Sequence, residues 1–220
     1  MVNKGSTTPI RRIGIFGGSF NPPHLGHLQL AEAAYKRLNL HEVWMLVSPQ
    51  NPHKNKSDLE AYNLRVEQCQ ILTQNKPHIK VSTFEKDNNL HITAETLKAL
   101  IKKHPNVQFV WLMGCENWQH FHKWHQWEAI MQMVPIVSFY REEKNSLNFK
   151  TPATIKYKEF RAKAQQSIGQ PPQWRVLFMP PHQGRATHIR KDLNAGRTPQ
   201  HLTKAQIENI QKRHSFCVGT

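Results

Sequence analysis

The sequence predicts an α/β fold, a doubly wound, mostly parallel sheet with helices on both faces and a C-terminal helical segment. Short apolar runs alternate along the chain with longer stretches of helical periodicity. The first two runs stand about thirty residues apart, the spacing of a βαβ unit. No internal repeat suggests a solenoid. Strands separated by helices give right-handed crossovers and parallel neighbours covered on both faces.

The elements follow in order. Residues 12–16 (Arg-Ile-Gly-Ile-Phe) form a buried strand that ends at Gly17-Gly18. A Pro- and Gly-rich loop leads to a helix over 25–38, with Leu28, Ala31, Tyr35 and Leu38 along one face. Residues 43–47 are the second strand, stopping at Ser48-Pro49. A helix over 58–73 opens at Ser57-Asp58 and carries Leu64, Cys69, Ile71 and Leu72. Residues 79–83 are a third strand, 93–103 a helix, and 107–113 a fourth strand ending at Gly114. Two more strands fall at 134–139 and 175–179. Between them, polar residues 142–173 with Pro152, Gly169, Pro171 and Pro172 form an insertion holding one helix over about 153–167. A closing helix over 203–213 opens at Thr203. The result is a Rossmann-like arrangement in one domain, with a core over about 10–190 and the helical segment over about 186–214.

Composition narrows the function. At 220 residues the chain can bury a core without disulfides or structural metals, and 38% hydrophobic residues argue against disorder. Its apolar stretches are too short to span a membrane. Met1 to Arg12 has no apolar run behind its charges, so no signal peptide is expected and the cytoplasm is the expected location. Cys69, Cys115 and Cys217 are odd in number and widely spaced, which excludes a disulfide framework and a cysteine zinc site. Thirty Lys and Arg against 15 Asp and Glu give a net charge of +15, so the partner or substrate is expected to be anionic.

In open α/β sheets, ligands sit beyond the carboxyl ends of the strands. The first such loop reads Gly17-Gly18-Ser19-Phe20-Asn21-Pro22-Pro23-His24-Leu25-Gly26-His27. Its glycines allow a tight turn and close backbone approach. The helix starts near His24, so its first N–H groups are expected to face the same space and favour an anion. His24 and His27 share one face there and can donate to phosphate oxygens. The loop lacks the GK-S/T of a P-loop and the glycine spacing of a dinucleotide fingerprint.

These residues resemble the GG-T/S-F-D/N-P-x-H-x-G-H signature of the HxGH nucleotidyltransferase superfamily. More closely, the chain resembles the bacterial nicotinate-nucleotide adenylyltransferases through four further segments. Asn51-Pro52-His53-Lys54 resembles their N-x-P-H-K/R loop, and His91-Ile92-Thr93-Ala94-Glu95-Thr96-Leu97 their S/T-Y-T-x-x-T-L segment. Met113-Gly114-Cys115-Glu116-Asn117 with Phe121-His122-Lys123-Trp124 resembles I-G-x-D-x-L followed by F-x-x-W. Ala186-Thr187-His188-Ile189-Arg190 resembles the end of I-S-S/A-T-x-I-R.

The resemblance implies adenylyl transfer from ATP to nicotinate mononucleotide, releasing pyrophosphate, with Mg²⁺ carried on the ATP phosphates and no protein metal site. It implies that His24 and His27 are catalytic and hold the ATP phosphates, His27 meeting the developing charge. Gly17, Gly18, Ser19, Phe20, Gly114 and Glu116 would line the ATP side, with Arg185, Thr187 and Arg190 as the opposite clamp. Asn21, Lys54, Thr93, Trp124 and the main chain at His125 would hold the mononucleotide: Lys54 its phosphate, Trp124 the pyridine ring, and Thr93 with His125 the carboxylate. The chain departs from the family pattern at Glu116 (usually Asp), Ile92 (usually Tyr), His91, Gly184 and Arg185 (usually Ser).

Two other patterns receive plainer readings. His120, His122 and His125 resemble a metal cluster but have no Cys or carboxylate at ligand spacing, so solvated histidines are expected. Trp111, Trp118 and Trp127 read as packing, leaving Trp124 for a ligand. Two alternatives stand beside the first reading: a superfamily relative acting on nicotinamide mononucleotide or phosphopantetheine, and a basic nucleic-acid binder. The paired histidines behind Gly-Gly argue against the binder.

Overall fold

The computed structural model describes residues 11–49, 61–140, 149–180, 184 and 186–217. Six strands are β1 (Arg11–Gly18), β2 (Glu42–Val47), β3 (Ile79–Ser82), β4 (Val107–Gly114), β5 (Ile136–Tyr140) and β6 (Trp174–Phe178). They form one sheet in the order β3-β2-β1-β4-β5-β6, and every pairing is parallel. This is the doubly wound order, whose direction reverses between β1 and β4.

The central strands read as apolar runs because both faces are buried, whereas the edge strand β3 leaves Lys80 exposed. In β4, Phe109, Trp111 and Met113 enter the core on one face, while Val110 and Leu112 enter the other. In β1, Ile13 and Ile15 join the first layer and Phe16 the second. Each fully buried large side chain contributes about 1.5–3 kcal/mol.

The helices are α1 (Leu25–Arg37), α2 (Tyr62–Thr73), α3 (Phe84–Asp87), α4 (Thr93–Lys103), α5 (Trp118–Phe121), α6 (Trp127–Met133), α7 (Pro152–Lys156), α8 (Ala186–Asn194) and α9 (Lys204–Cys217). The buried stripe of α1 is Leu30, Ala31 and Ala34, with Leu28 and Tyr35 only half-buried, so the predicted face is rotated. The predicted opening of α2 at Ser57-Asp58 lies outside the described residues.

The insertion differs most from expectation. Pro152 and a reciprocal Thr151–Thr154 capping box start α7, but the helix ends at Lys156 and one 3-10 turn, Lys158–Phe160, follows. The reason lies at Arg161 and Ala162, whose backbone pairs with β6: Arg161 bridges Trp174, and Ala162 N donates to Trp174 O at 2.8 Å. Beside that pairing lies Arg175, a buried residue of β6. Its guanidinium donates to the carbonyls of Gln166 and Ser167 and to Gln173 Oε1. Those bonds satisfy the buried cation.

The C-terminal segment closes onto the first loop. Thr203 and Gln206 cap α9 reciprocally, Gln206 Nε2 donates to Pro23 O at 3.0 Å, and Leu25 N donates to His201 O at 3.1 Å. Among the described residues, no helix is long and apolar enough to cross a membrane.

Candidate active site

The sheet opens at its switch point. β1 pairs with β2 as far as Gly18↔Val47, but with β4 only to Phe16↔Leu112, while β4 itself runs on to Gly114. Gly17 and Gly18 are therefore the last residues of β1 rather than its stop signal, and the ladder parts beside them. The Trp111 indole lies against Gly17, where a Cβ would stand 2.6 Å from its Cη2. The Phe20 ring folds back over Gly18 and meets Phe16 and His27 edge-on at 5.4 and 5.1 Å. Phe20 is buried at φ 44°, a left-handed backbone that costs a non-glycine residue about 1–3 kcal/mol and is held by those ring contacts.

His24 is the N-cap of α1 and 3% exposed. Its Nδ1 accepts from Gly26 N at 3.1 Å, and its own N–H donates to His27 Nδ1 at 3.2 Å. The rings lie 3.8 Å apart, centroid to centroid. Because each Nδ1 accepts a backbone proton, each neutral ring carries its own proton on Nε2. The capping box thus presets two imidazoles as Nε2–H donors.

This geometry corrects the expectation that the helix N–H groups receive the anion. Leu25 N donates to His201 O, Gly26 N to His24 Nδ1, and His27 N to His24 O. Protein acceptors engage the first turn, and the imidazoles present the donors in its place.

One further predicted residue reaches this loop. Arg190, in α8, donates through Nη1 to the main-chain oxygen of Asn21 at 2.6 Å. Asn21 is itself buried. Thr187 is exposed in the first turn of α8. Gly114 ends β4, and the exposed Glu116 folds its carboxylate back over it, where a Cβ would overlap the carboxylate oxygens. Lys54 and Arg185 lie outside the described residues.

On the other side of the switch point, the half-buried Trp124 meets Trp111 edge-on at 6.2 Å and Phe121 at 5.2 Å. Trp111 links it to Gly17. His125 is exposed in the turn before α6, where Gln126 has φ 52°. Lys98 of α4 donates to Gln126 Oε1 at 2.8 Å and so ties that turn to the helix that begins at Thr93. Trp118 is core, its Nε1 donating to Ser138 Oγ at 2.8 Å. Among the described residues, no group of three or more His, Cys, Asp or Glu could hold a metal ion.

Sequence reasoning missed two buried charged residues at this end of the sheet. Arg65, 1% exposed, donates to the carbonyls of Ser19, Ser48 and Pro49 at 2.6, 2.8 and 3.3 Å. Its signal was available: Arg65 stands four residues before Cys69 and seven before Leu72, on the inward stripe of α2. Glu85 is also buried and accepts from Thr96 Oγ1 at 3.0 Å. Burial pushes its carboxyl above the usual range, against the opposing pull of hydrogen bonds from Thr96 and Ser48. No local motif marks it.

Known proteins resemble this chain in sequence and in fold. The sequence profile described as cytidylyltransferase-like matches residues 15–191. A Ruegeria sp. protein named "Probable nicotinate-nucleotide adenylyltransferase" is 38% identical over 184 residues, 81% of this chain and 96% of that one. An identically named Agrobacterium fabrum protein is 44% identical over 124 residues, 56% of this chain and 66% of that one. The fold matches that of the Plasmodium falciparum nicotinic acid mononucleotide adenylyltransferase complexed with NaAD, with a TM-score of 0.72, 19% identity, and coverage of 92% of this chain and 96% of that one.

Proposed function

The chain belongs to the cytidylyltransferase-like family and, within it, to the nicotinate-nucleotide adenylyltransferases, and from that premise we propose how its residues divide the reaction. ATP and nicotinate mononucleotide are the substrates. A phosphate oxygen of the mononucleotide attacks the α-phosphorus of ATP, and the bond from that phosphorus to the bridging oxygen breaks. Pyrophosphate leaves, and nicotinate adenine dinucleotide forms as a step of NAD biosynthesis. The nucleophile belongs to the substrate, so catalysis consists of positioning and charge stabilisation.

The observation that carries this reading is the pair of imidazoles fixed as Nε2–H donors by their Nδ1 capping bonds. His24 holds the triphosphate, and His27 meets the charge that grows as the α-phosphorus bond breaks. Gly17, Gly18, Ser19 and Phe20 border the nucleotide on one side, with Gly114 and Glu116 on the other. Thr187 and Arg190 approach from α8, and Arg185 extends that clamp. Protonated imidazole nitrogens suit phosphate oxygens rather than a cation. Mg²⁺ therefore enters as part of the MgATP substrate and spreads the phosphate charge.

Trp124 stacks on the pyridine ring, and Lys54 and Asn21 receive the mononucleotide phosphate end. Thr93 and the main chain at His125 pair the carboxylate; Lys98–Gln126 supports their proximity. We take the chain as one nucleotidyltransferase unit, a reading supported by the bonds of His201 and Gln206 to the first loop.

The acid mononucleotide is expected to be converted with a kcat/KM about 5- to 100-fold above that of the amide. The amide NH₂ would set a donor against donors, at a cost of about 1–3 kcal/mol. Steady-state kinetics on both mononucleotides tests this. Equal values would assign the amide as a full alternative substrate, and no pyrophosphate from either would refute the reaction.

A further inference from the structure

Resting on that functional reading, we propose that the buried Arg65–Ser48–Glu85–Thr96 relay is a positioning device that fixes the ATP loop, the loop after β2 and helix α4 in one register.

Three substrate-facing segments leave the sheet from different strands, and direct strand pairing stops before each of them. β1 delivers Ser19, β2 delivers Ser48 and Pro49, and the turn after β3 leads through Glu85 to α4. Arg65 donates to the Ser19 carbonyl and to those of Ser48 and Pro49, so one rigid guanidinium spans the first two segments. The Ser48 side chain faces the Glu85 carboxyl, which accepts from Thr96 Oγ1 in α4 at 3.0 Å. Thr96 lies one helical turn beyond Thr93. The Arg65 bonds join the nucleotide loop to the loop after β2, and Glu85 beside Ser48 holds the helix that carries the acceptor-side threonine.

Arg65 donates to main-chain carbonyls of two loops that carry substrate contacts. Planar, multiply donating geometry sets the spacing of those carbonyls in a way that an ammonium cannot. The in-line approach of the mononucleotide phosphate to the α-phosphorus requires that spacing, and displacement by about 1 Å can cost about 10²-fold in rate.

The test compares wild type with Arg65→Lys, which keeps the buried charge but loses the fork, and with Glu85→Gln. In the folded Arg65→Lys variant, kcat is expected to fall about 10- to 100-fold, with the KM for each substrate changing several-fold at most. Glu85→Gln, which retains one acceptor, is expected to move kcat in the same direction by less. In Arg65→Ala, millimolar guanidinium is expected to restore part of kcat, while ammonium or sodium chloride at equal ionic strength is not. Folded Arg65→Lys with kcat within threefold of wild type would overturn the relay, as would equal rescue by all three cations. If Arg65→Ala does not fold, Arg65→Lys decides alone. Wild type inactive on either mononucleotide would refute the functional reading; active wild type beside fully active Arg65→Lys would refute the relay alone.

Discussion

Replacement of His27 by alanine is expected to lower kcat about 10²-fold while leaving the KM for ATP within a few-fold of wild type. The ring is held by His24 N–H on its Nδ1 at 3.2 Å and by the edge of Phe20 at 5.1 Å, so its proton sits on Nε2 before substrate arrives. A preset donor gains strength as charge accumulates in the transition state, and only that gain accelerates the step. Loss of one such donor costs about 3 kcal/mol. The variant also loses half of the capping box, a change confined to the start of α1 and read as a small shift in Tm. A folded His27→Ala enzyme with wild-type kcat would remove His27 from the catalytic step.

The second large effect separates two duties of His24. Its Nδ1 caps α1 through Gly26 N, and its Nε2–H is assigned to the triphosphate. Alanine removes both. Loss of an N-cap costs about 1 kcal/mol, which for a chain of this size lowers Tm by about 2–4 °C. Asparagine is itself a strong N-cap, so His24→Asn is expected to recover the melting temperature without the phosphate contact. In both variants kcat/KM is expected to fall about 10- to 100-fold, the loss of a charge-assisted hydrogen bond of about 1.5–3 kcal/mol. Full activity in His24→Asn would confine His24 to capping.

The sheet was legible because its central strands are buried on both faces and therefore read as short apolar runs between turn residues. Helix α4 was legible to the residue, since Thr93 opens it and the polar stretch at His104 closes it. The first loop announced its histidines, but their tautomers depend on backbone geometry that residue types alone do not encode. Nor could the sequence show that Leu25 N–H is engaged, because its acceptor, His201 O, belongs to a distant segment with no motif of its own. The helix expected over 153–167 failed for a similar reason: Ala162 N–H goes to Trp174 O of β6, a partner that local propensity does not encode. Arg65 was overlooked because a charged residue in a helix reads as solvated. Its alignment with Cys69 and Leu72 outweighs that expectation.

The most direct test of adenylyl transfer follows isotopic label from ATP. Incubated with Mg²⁺ and nicotinate mononucleotide, ATP labelled at the α-phosphate is expected to pass its label into the dinucleotide. ATP labelled at the γ-phosphate is expected to release its label as pyrophosphate, in equal amount. The protein itself stays unlabelled throughout, because the substrate phosphate is the nucleophile. Label retained on the protein, or γ-label released as inorganic phosphate beside ADP, would contradict direct attack on the α-phosphorus.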